Sequence, residues 1–172
     1  MDDLFNLGCM KETFTERQRF TQWWLWVLIG SLGAFAIYAV ISQLIFNQTV
    51  GNNPMSNSSL LFFFIFVIAF VVFFYKIELR TKIDDKGIHL HFYPFFKSIY
   101  LWSSIEKIDF VRYGFVGYGI RFGGKYGTVY NIKGNRGFAI QLKDGKKYLI
   151  GSQETEKIKE TTAFYHKHNP TQ

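Results

Sequence analysis

Residues 23–46 read WWLWVLIGSLGAFAIYAVISQLIF, twenty-four positions without an Asp, Glu, Lys or Arg. Coiled into a helix at 1.5 Å per residue, this run extends about 36 Å, more than the ~30 Å hydrocarbon core of a bilayer requires. A second run, Leu60–Tyr75, has 16 residues, of which only Ala69 and Tyr75 stand outside the large aliphatics and Phe. Adding Ser59 at its start, and Lys76 and Ile77 at its end with the Lys76 ammonium reaching the interface, brings it to spanning length. Working outward from these runs, no charged residue occurs anywhere between Arg19 and Lys76. The sequence therefore predicts a transmembrane hairpin over 23–75, with spans 23–46 and 59–77, preceded by a short N-terminal segment, 1–22. The stretch Asn47–Ser59, uncharged and rich in Asn and Ser with one Gly and one Pro, reads as the turn between the spans.

Orientation follows from the basic residues. Lys11, Arg17 and Arg19 precede the first span, Lys76, Arg80, Lys82 and Lys86 follow the second, and the connecting turn has none. Both termini are thus expected in the cytoplasm, and the protein in the cytoplasmic membrane. Trp23, Trp24, Trp26 and Tyr75 then form an aromatic belt in one leaflet. The first apolar run is too long for a cleaved signal peptide, and no small-x-small site follows it. Cys9 precedes the apolar stretch, not the arrangement of a lipoprotein site, and reads as an ordinary thiol. Gly30 and Ala34, four apart, are candidates for close helix approach. Asn47-Gln48-Thr49 and Asn57-Ser58-Ser59 match the glycosylation triplet, relevant only in a eukaryotic secretory pathway. Thr13-Phe14-Thr15-Glu16 fits a capping box, so the first helix is expected to start ahead of the bilayer.

The rest of the chain, 76–172, is chemically different. It holds 17 Lys and Arg against 9 Asp and Glu. In the whole chain of 172 residues, 48% are hydrophobic and 20 are Phe, which excludes a disordered polar chain. The single Cys excludes a disulfide framework and a cysteine-rich zinc module. From Lys76 onward the apolar period becomes two: Ile88, Leu90 and Phe92 alternate with His89, His91 and Tyr93, and Phe138, Ile140 and Leu142 with Ala139, Gln141 and Lys143. Further strand candidates are 78–83, 98–102, 105–112, 118–122, 128–132 and 147–150. Turn chemistry stands at Asp84-Asp85-Lys86-Gly87, Lys133-Gly134-Asn135 and Lys143-Asp144-Gly145-Lys146, the last predicting a tight two-residue hairpin. About seven short strands in such a length suggest an antiparallel sandwich or barrel. A helix follows, with Ser152 as its cap, Glu154 and Glu156 in its first turn, Ile158, Thr161, Thr162 and Tyr165 on one face, and Pro170 beyond its end.

The order of Ile83-Asp84-Asp85-Lys86-Gly87-Ile88, Leu101-Trp102-Ser103-Ser104-Ile105-Glu106-Lys107-Ile108, Gly137–Leu142, Lys143-Asp144-Gly145-Lys146-Lys147 and Ile150-Gly151-Ser152-Gln153 resembles the bacterial pleckstrin-homology (PH)-like family over roughly residues 76–167. Members of that family often follow a pair of membrane helices. The resemblance implies a curved sheet of about seven strands closed at one end by the C-terminal helix. It implies no shared enzyme activity; such domains are platforms for lipids, peptides or self-assembly. Phosphoinositide-binding relatives carry basic residues in the first hairpin, whereas here Lys82 and Lys86 flank two acids, Asp84 and Asp85.

The chemistry sought is mostly missing. Gly119-Ile120-Arg121-Phe122-Gly123-Gly124-Lys125-Tyr126 has the spacing of a phosphate loop, but Tyr126 stands where a hydroxyl should hold magnesium, and a strand pattern follows instead of a helix. The glycines from Gly114 to Gly127 read as bends or bulges. His89 and His91 share a strand face, and His166 and His168 lie near the C-terminus, with no acid or Cys spaced to complete a metal site. No Ser–His–acid order suggests hydrolysis. What remains is a basic set, Arg121, Lys125, Lys133, Arg136, Lys143, Lys146 and Lys147, around hairpin tips near Tyr126 and Tyr130. It suits a protein partner or, at about 1 kcal/mol per cation, anionic lipid headgroups. It equally fits an ordinary solvated surface. No aromatic-and-basic motif for nucleic acid is present. The expectation is an α+β membrane protein presenting a non-catalytic PH-like interaction or assembly domain, cofactor-free, integral to the bilayer, binding a protein partner or a second copy. An anionic-lipid-binding module is an alternative. An accessory subunit of a membrane transport complex is another, although neither span contains an ionisable group.

Overall fold

A computed structural model describes residues 13–114 and 117–168, with side chains described through Tyr165. Cys9, Lys11, Pro170 and the side chains of His166 and His168 lie outside that description. The chain separates into a helical unit, Phe20–Ile77, and a β-unit assembled from both flanks of it.

The helical unit contains α1 (Trp23–Val40), which continues through a π-helical turn, Ile41–Ile45, and α2 (Asn57–Lys76). The two helical stretches, of 23 and 20 residues, are long and apolar enough to cross a membrane. Their outward surface is aliphatic and aromatic, with Phe62 at 75% exposure. Ile29, Ala36, Ala39 and Ser42 of the first helix and Leu60 and Val67 of the second are buried. The small residues that permit close approach are thus Ala36 and Ala39. Gly30 and Ala34 lie on the exposed side, contrary to expectation, and a Cβ on Gly30 would meet nothing within 4 Å. At one end, the Trp26 indole donates to the Phe20 carbonyl (2.8 Å) and packs edge-on against Tyr75 (6.4 Å). At the other, Gln43 Nε2 donates to Met55 O (2.7 Å) and Asn57 Oδ1 (2.8 Å), and Ser56 caps α2 by accepting the Ser59 N–H (3.2 Å). Asn57-Ser58-Ser59 therefore opens α2 and is not part of the turn.

The β-unit begins before the helices. Phe14–Arg19 is a strand, β1, and not a helix start; the capping-box expectation fails here because Glu16 turns inward to a distant partner. β1 pairs antiparallel with β2 (Glu78–Ile83), which pairs with β3 (Gly87–Tyr93), which pairs with β4 (Phe96–Leu101). Gly87 is required at its turn because a Cβ there would stand 2.1 Å from Tyr100 O. A 3₁₀ turn, Trp102–Ser104, leads to β5 (Ile105–Arg112), β6 (Gly119–Arg121), β7 (Thr128–Asn131), β8 (Arg136–Leu142) and β9 (Lys147–Gly151). These five make a second sheet in the order β5-β8-β9-β7-β6. One pair, β7–β9, is parallel, a departure from the all-antiparallel expectation. It arises because β9 returns from the β8 hairpin into the gap between β8 and β7.

The β8–β9 connection also differs from the expected two-residue hairpin. Gly145 N–H donates to Leu142 O (2.9 Å) and Leu142 N–H to Lys146 O (2.9 Å), leaving three loop residues with Gly145 at φ +85°. One left-handed residue closes such a loop, where a two-residue turn needs a primed geometry. The sheets meet through aromatic pairs, Phe96–Tyr130 and Tyr100–Tyr148, each 4.8 Å between centroids. Phe92, Phe138, Leu79, Leu90, Ile140 and Leu149 fill the interior. Helix α3 (Thr155–His168) buries Ile158, Thr161, Thr162 and Tyr165, the face expected from periodicity. Tyr165 stacks on Trp102 (5.8 Å), whose indole donates to Asp84 O (2.8 Å). Ser152 stands ahead of the helix: its Oγ accepts the Glu154 N–H (3.0 Å), and only Glu156 of the two acids lies in the first turn.

Candidate functional site

The register divides the basic set in two. β8 is seven residues long, about 20 Å. Lys133 and Arg136 stand at its start, and Lys143 and Lys146 in the turn at its end. Arg121 pairs with Val129, Thr128 with Tyr148, and a Cβ on Gly127 would abut Lys147 O. Arg121, Lys125, Lys143, Lys146 and Lys147 therefore share one end of the second sheet, and Lys133 and Arg136 lie at the other.

Within the larger group the cations are not equivalent. Lys146 pairs with Asp144 (2.8 Å), whose Oδ1 also accepts the Lys146 N–H (3.0 Å); the ammonium raises no net charge there. Arg121 folds back over Gly117, leaving no room for a Cβ at that φ +80° position. Lys125 and Lys147 line a groove of about 370 Å³ on the face of β5 and β8, floored by Val111, Tyr126 and Ala139. The Lys125 ammonium also sits 5.6 Å from the Tyr126 ring centroid, a cation–π contact. Asp109, on the same groove, is held by Lys107 (2.8 Å). Phe122, at 81% exposure, stands on the neighbouring loop. The result is an apolar-floored groove with a basic rim. It can receive an extended segment with acidic and apolar side chains. The phosphate-loop string covers β6 and the loop after it, and the chain continues into β7, a strand and not a helix.

The first hairpin is electrostatically closed on itself. The Asp84 carboxylate accepts from Lys86 N–H (3.0 Å) and pairs with Lys82 (3.0 Å) and His89 (2.9 Å). Burial pushes the Asp84 pKa up, but these partners outweigh it and hold the carboxyl at about 2. His89 is thus a partner of Asp84, and no three His, Cys, Asp or Glu side chains converge among the described residues. Glu78 behaves alike: burial opposes its charge, and hydrogen bonds from Arg19 and Arg80 lower its pKa.

Sequence reasoning missed Glu16 and Gln18. Both are buried on β1. Glu16 accepts from Ser152 Oγ (2.6 Å) and Gln153 N–H (2.8 Å), and Gln18 Nε2 donates to Gly151 O (2.7 Å). Burial raises the Glu16 pKa against the pull of those hydrogen bonds. Beside it, burial first and the Glu16 charge second push the Tyr113 phenol up to about 12. The alternation Phe14, Glu16, Gln18 is a period-two signal, obscured because two of its three inward residues are polar. No protein-family model and no curated protein matches this sequence.

Proposed function

We propose that this chain is a two-pass protein of the cytoplasmic membrane whose β-unit, of PH-like type and on the inner side, is a non-catalytic platform for a protein partner or a second copy. The observation that carries this reading is the place of β1. The chain enters the helices from β1 and returns from them into β2, and the two strands pair in register from Arg19–Glu78 to Phe14–Ile83. A β-unit joined to both ends of a hairpin is tethered at two points and not by a single linker. The four-stranded and five-stranded sheets with a C-terminal helix suit a PH-like arrangement, in which β6–β7 is an added hairpin. The basic-rimmed groove with Lys125 and Lys147 suits an acidic partner segment.

The test uses the full chain in its native membrane with a photo-crosslinking residue at Tyr126. We expect one discrete protein adduct whose yield falls at least tenfold on Lys125→Glu with Lys147→Glu, both exposed positions. A yield indifferent to that reversal overturns the groove as the partner surface.

A further inference from the structure

The register of the first sheet brings together residues that lie far apart in sequence. Arg17 pairs with Arg80, Arg80 with His91 and His91 with Lys97. Because Phe14, Leu79, Ile88, Leu90 and Phe92 point into the core, this whole row lies on the outer face. With strands about 4.8 Å apart, four basic side chains stand abreast over roughly 14 Å. Arg17 and Arg80 are like charges directly opposite, an arrangement that repels in a sheet. Glu78, in the next row, pairs with Arg19 (3.1 Å) and with Arg80. Arg80 Nε is buried with no partner, and Arg17 and Lys97 make no ion pair among the described residues. The charge at this end is therefore in excess.

The same end is joined to the helices. Only Ile77 separates Lys76, the last residue of α2, from Glu78, and Glu78 pairs with Tyr93. Two residues reach at most about 7 Å and a strand pair adds about 5 Å, so the Tyr93 Cα lies within about 13 Å of the Lys76 Cα at any angle between the units. The turn after Tyr93 carries Phe95, and the two aromatic residues are 41% and 54% exposed. Aromatic rings with cations beside them are the side-chain set that settles at a membrane–water interface.

We propose that this end of the first sheet is a second membrane contact, in which Arg17, Arg80, His91 and Lys97 meet anionic lipid headgroups and the Tyr93–Phe95 turn enters the interfacial layer. The proposal rests on the reading of α1 and α2 as spans. It differs from the lipid surface expected from sequence. Lys147 and its neighbours lie at the Tyr148–Tyr100 end, and Tyr100 pairs with Ile88, five residues or about 16 Å along β3 from Tyr93. That separation exceeds the ~8 Å over which salt leaves charges in touch.

The test uses the full chain with Cys9→Ser and a single fluorophore-bearing cysteine, at Phe95→Cys or, as control, at Asp144→Cys. It is reconstituted in phosphatidylcholine vesicles with or without phosphatidylglycerol, and quenching by lipids spin-labelled near the headgroup is read. We expect strong quenching at 95 and little at 144, with the effect at 95 enhanced by phosphatidylglycerol. Arg17→Gln and Lys97→Gln, on exposed edge-strand positions, each lower the docked-to-undocked ratio about fivefold in anionic vesicles. Equal quenching at 95 and 144, or quenching at 95 indifferent to phosphatidylglycerol and to both substitutions, overturns the proposal. Alkaline carbonate washing of the same vesicles separates the two failures. Protein that stays with lipid while position 95 is unquenched defeats this contact alone; protein that washes out defeats the spans as well.

Discussion

Phe62 and Phe138 are the same side chain under opposite rules. Phe62 on α2 is 75% exposed among similarly outward Phe and Ile residues, while Phe138 on β8 is fully buried. In the β-unit the apolar groups are removed from water by the protein itself. In the helical unit they are left outside, and the residues turned inward include Ala36, Ala39 and Ser42. The difference indicates the solvent each unit is built for. Where the surroundings are hydrocarbon, association between helices depends on close fit and on groups such as Gln43, not on hiding Phe.

The largest test of that contrast is Phe138→Ala, which should destabilise the β-unit by about 3–5 kcal/mol, followed by near-ultraviolet circular dichroism of the full chain in detergent micelles. Phe62→Ala should change the same melting curve by less than about 1 kcal/mol, because detergent tails replace the ring. Comparable losses would erase the distinction between the units. Next in size is a charge on the lipid-facing surface. Phe66→Lys, at the middle of α2, should disfavour membrane insertion by about 2.5–3.5 kcal/mol in a translocon assay, whereas Thr15→Lys on the exposed face of β1 should leave insertion and folding unchanged.

Two carboxyls sharpen the picture within the β-unit, because they have opposite signs. The folded pKa of Asp84 is lowered from 3.8 to about 2, so its contribution is complete above the unfolded value and is lost as pH falls through about 2. The shift corresponds to about 2 kcal/mol. Asp84→Asn should remove that acid dependence. The Glu16 pKa is raised, so its contribution is present below the unfolded value of 4.5 and is lost as pH rises through the folded one. Glu16→Gln should therefore flatten the stability profile on the alkaline side of 4.5, not the acid side. Urea titrations across pH distinguish the two. A smaller loss is expected at Gly145, where a Cβ meets nothing but φ is +85°. Gly145→Ala should cost about 1–2 kcal/mol, from the left-handed backbone alone.

The strands with strict apolar alternation, β3 and β8, were legible because one face of each is apolar, and the α3 face was legible from the helical spacing of Ile158, Thr161, Thr162 and Tyr165 although two of the four are polar. β1 was not. Its inward residue Glu16 is bonded by Ser152 and Gln153, and the Gln18 Nε2 by Gly151, all more than 130 positions away in sequence, while Gln18 Oε1 is buried with no partner among the described residues. No local pattern announces such a partner. The basic site was half legible: the residue types were evident, but only the β-pairing shows that Lys133 and Arg136 stand a strand length from Lys143 and Lys147.

Composition and apolar period along the chain determined that this protein has one apolar helical region and one water-compatible β region, since the energy of placing a side chain in water or hydrocarbon is a property of that side chain and the period sets which face carries it. Tertiary structure decided that β1, which precedes the helices in sequence, pairs with β2, which follows them, and that Arg17, Arg80, His91 and Lys97 form one row. Those facts depend on register, and register is set by contacts between strands whose sequence separation no local propensity records.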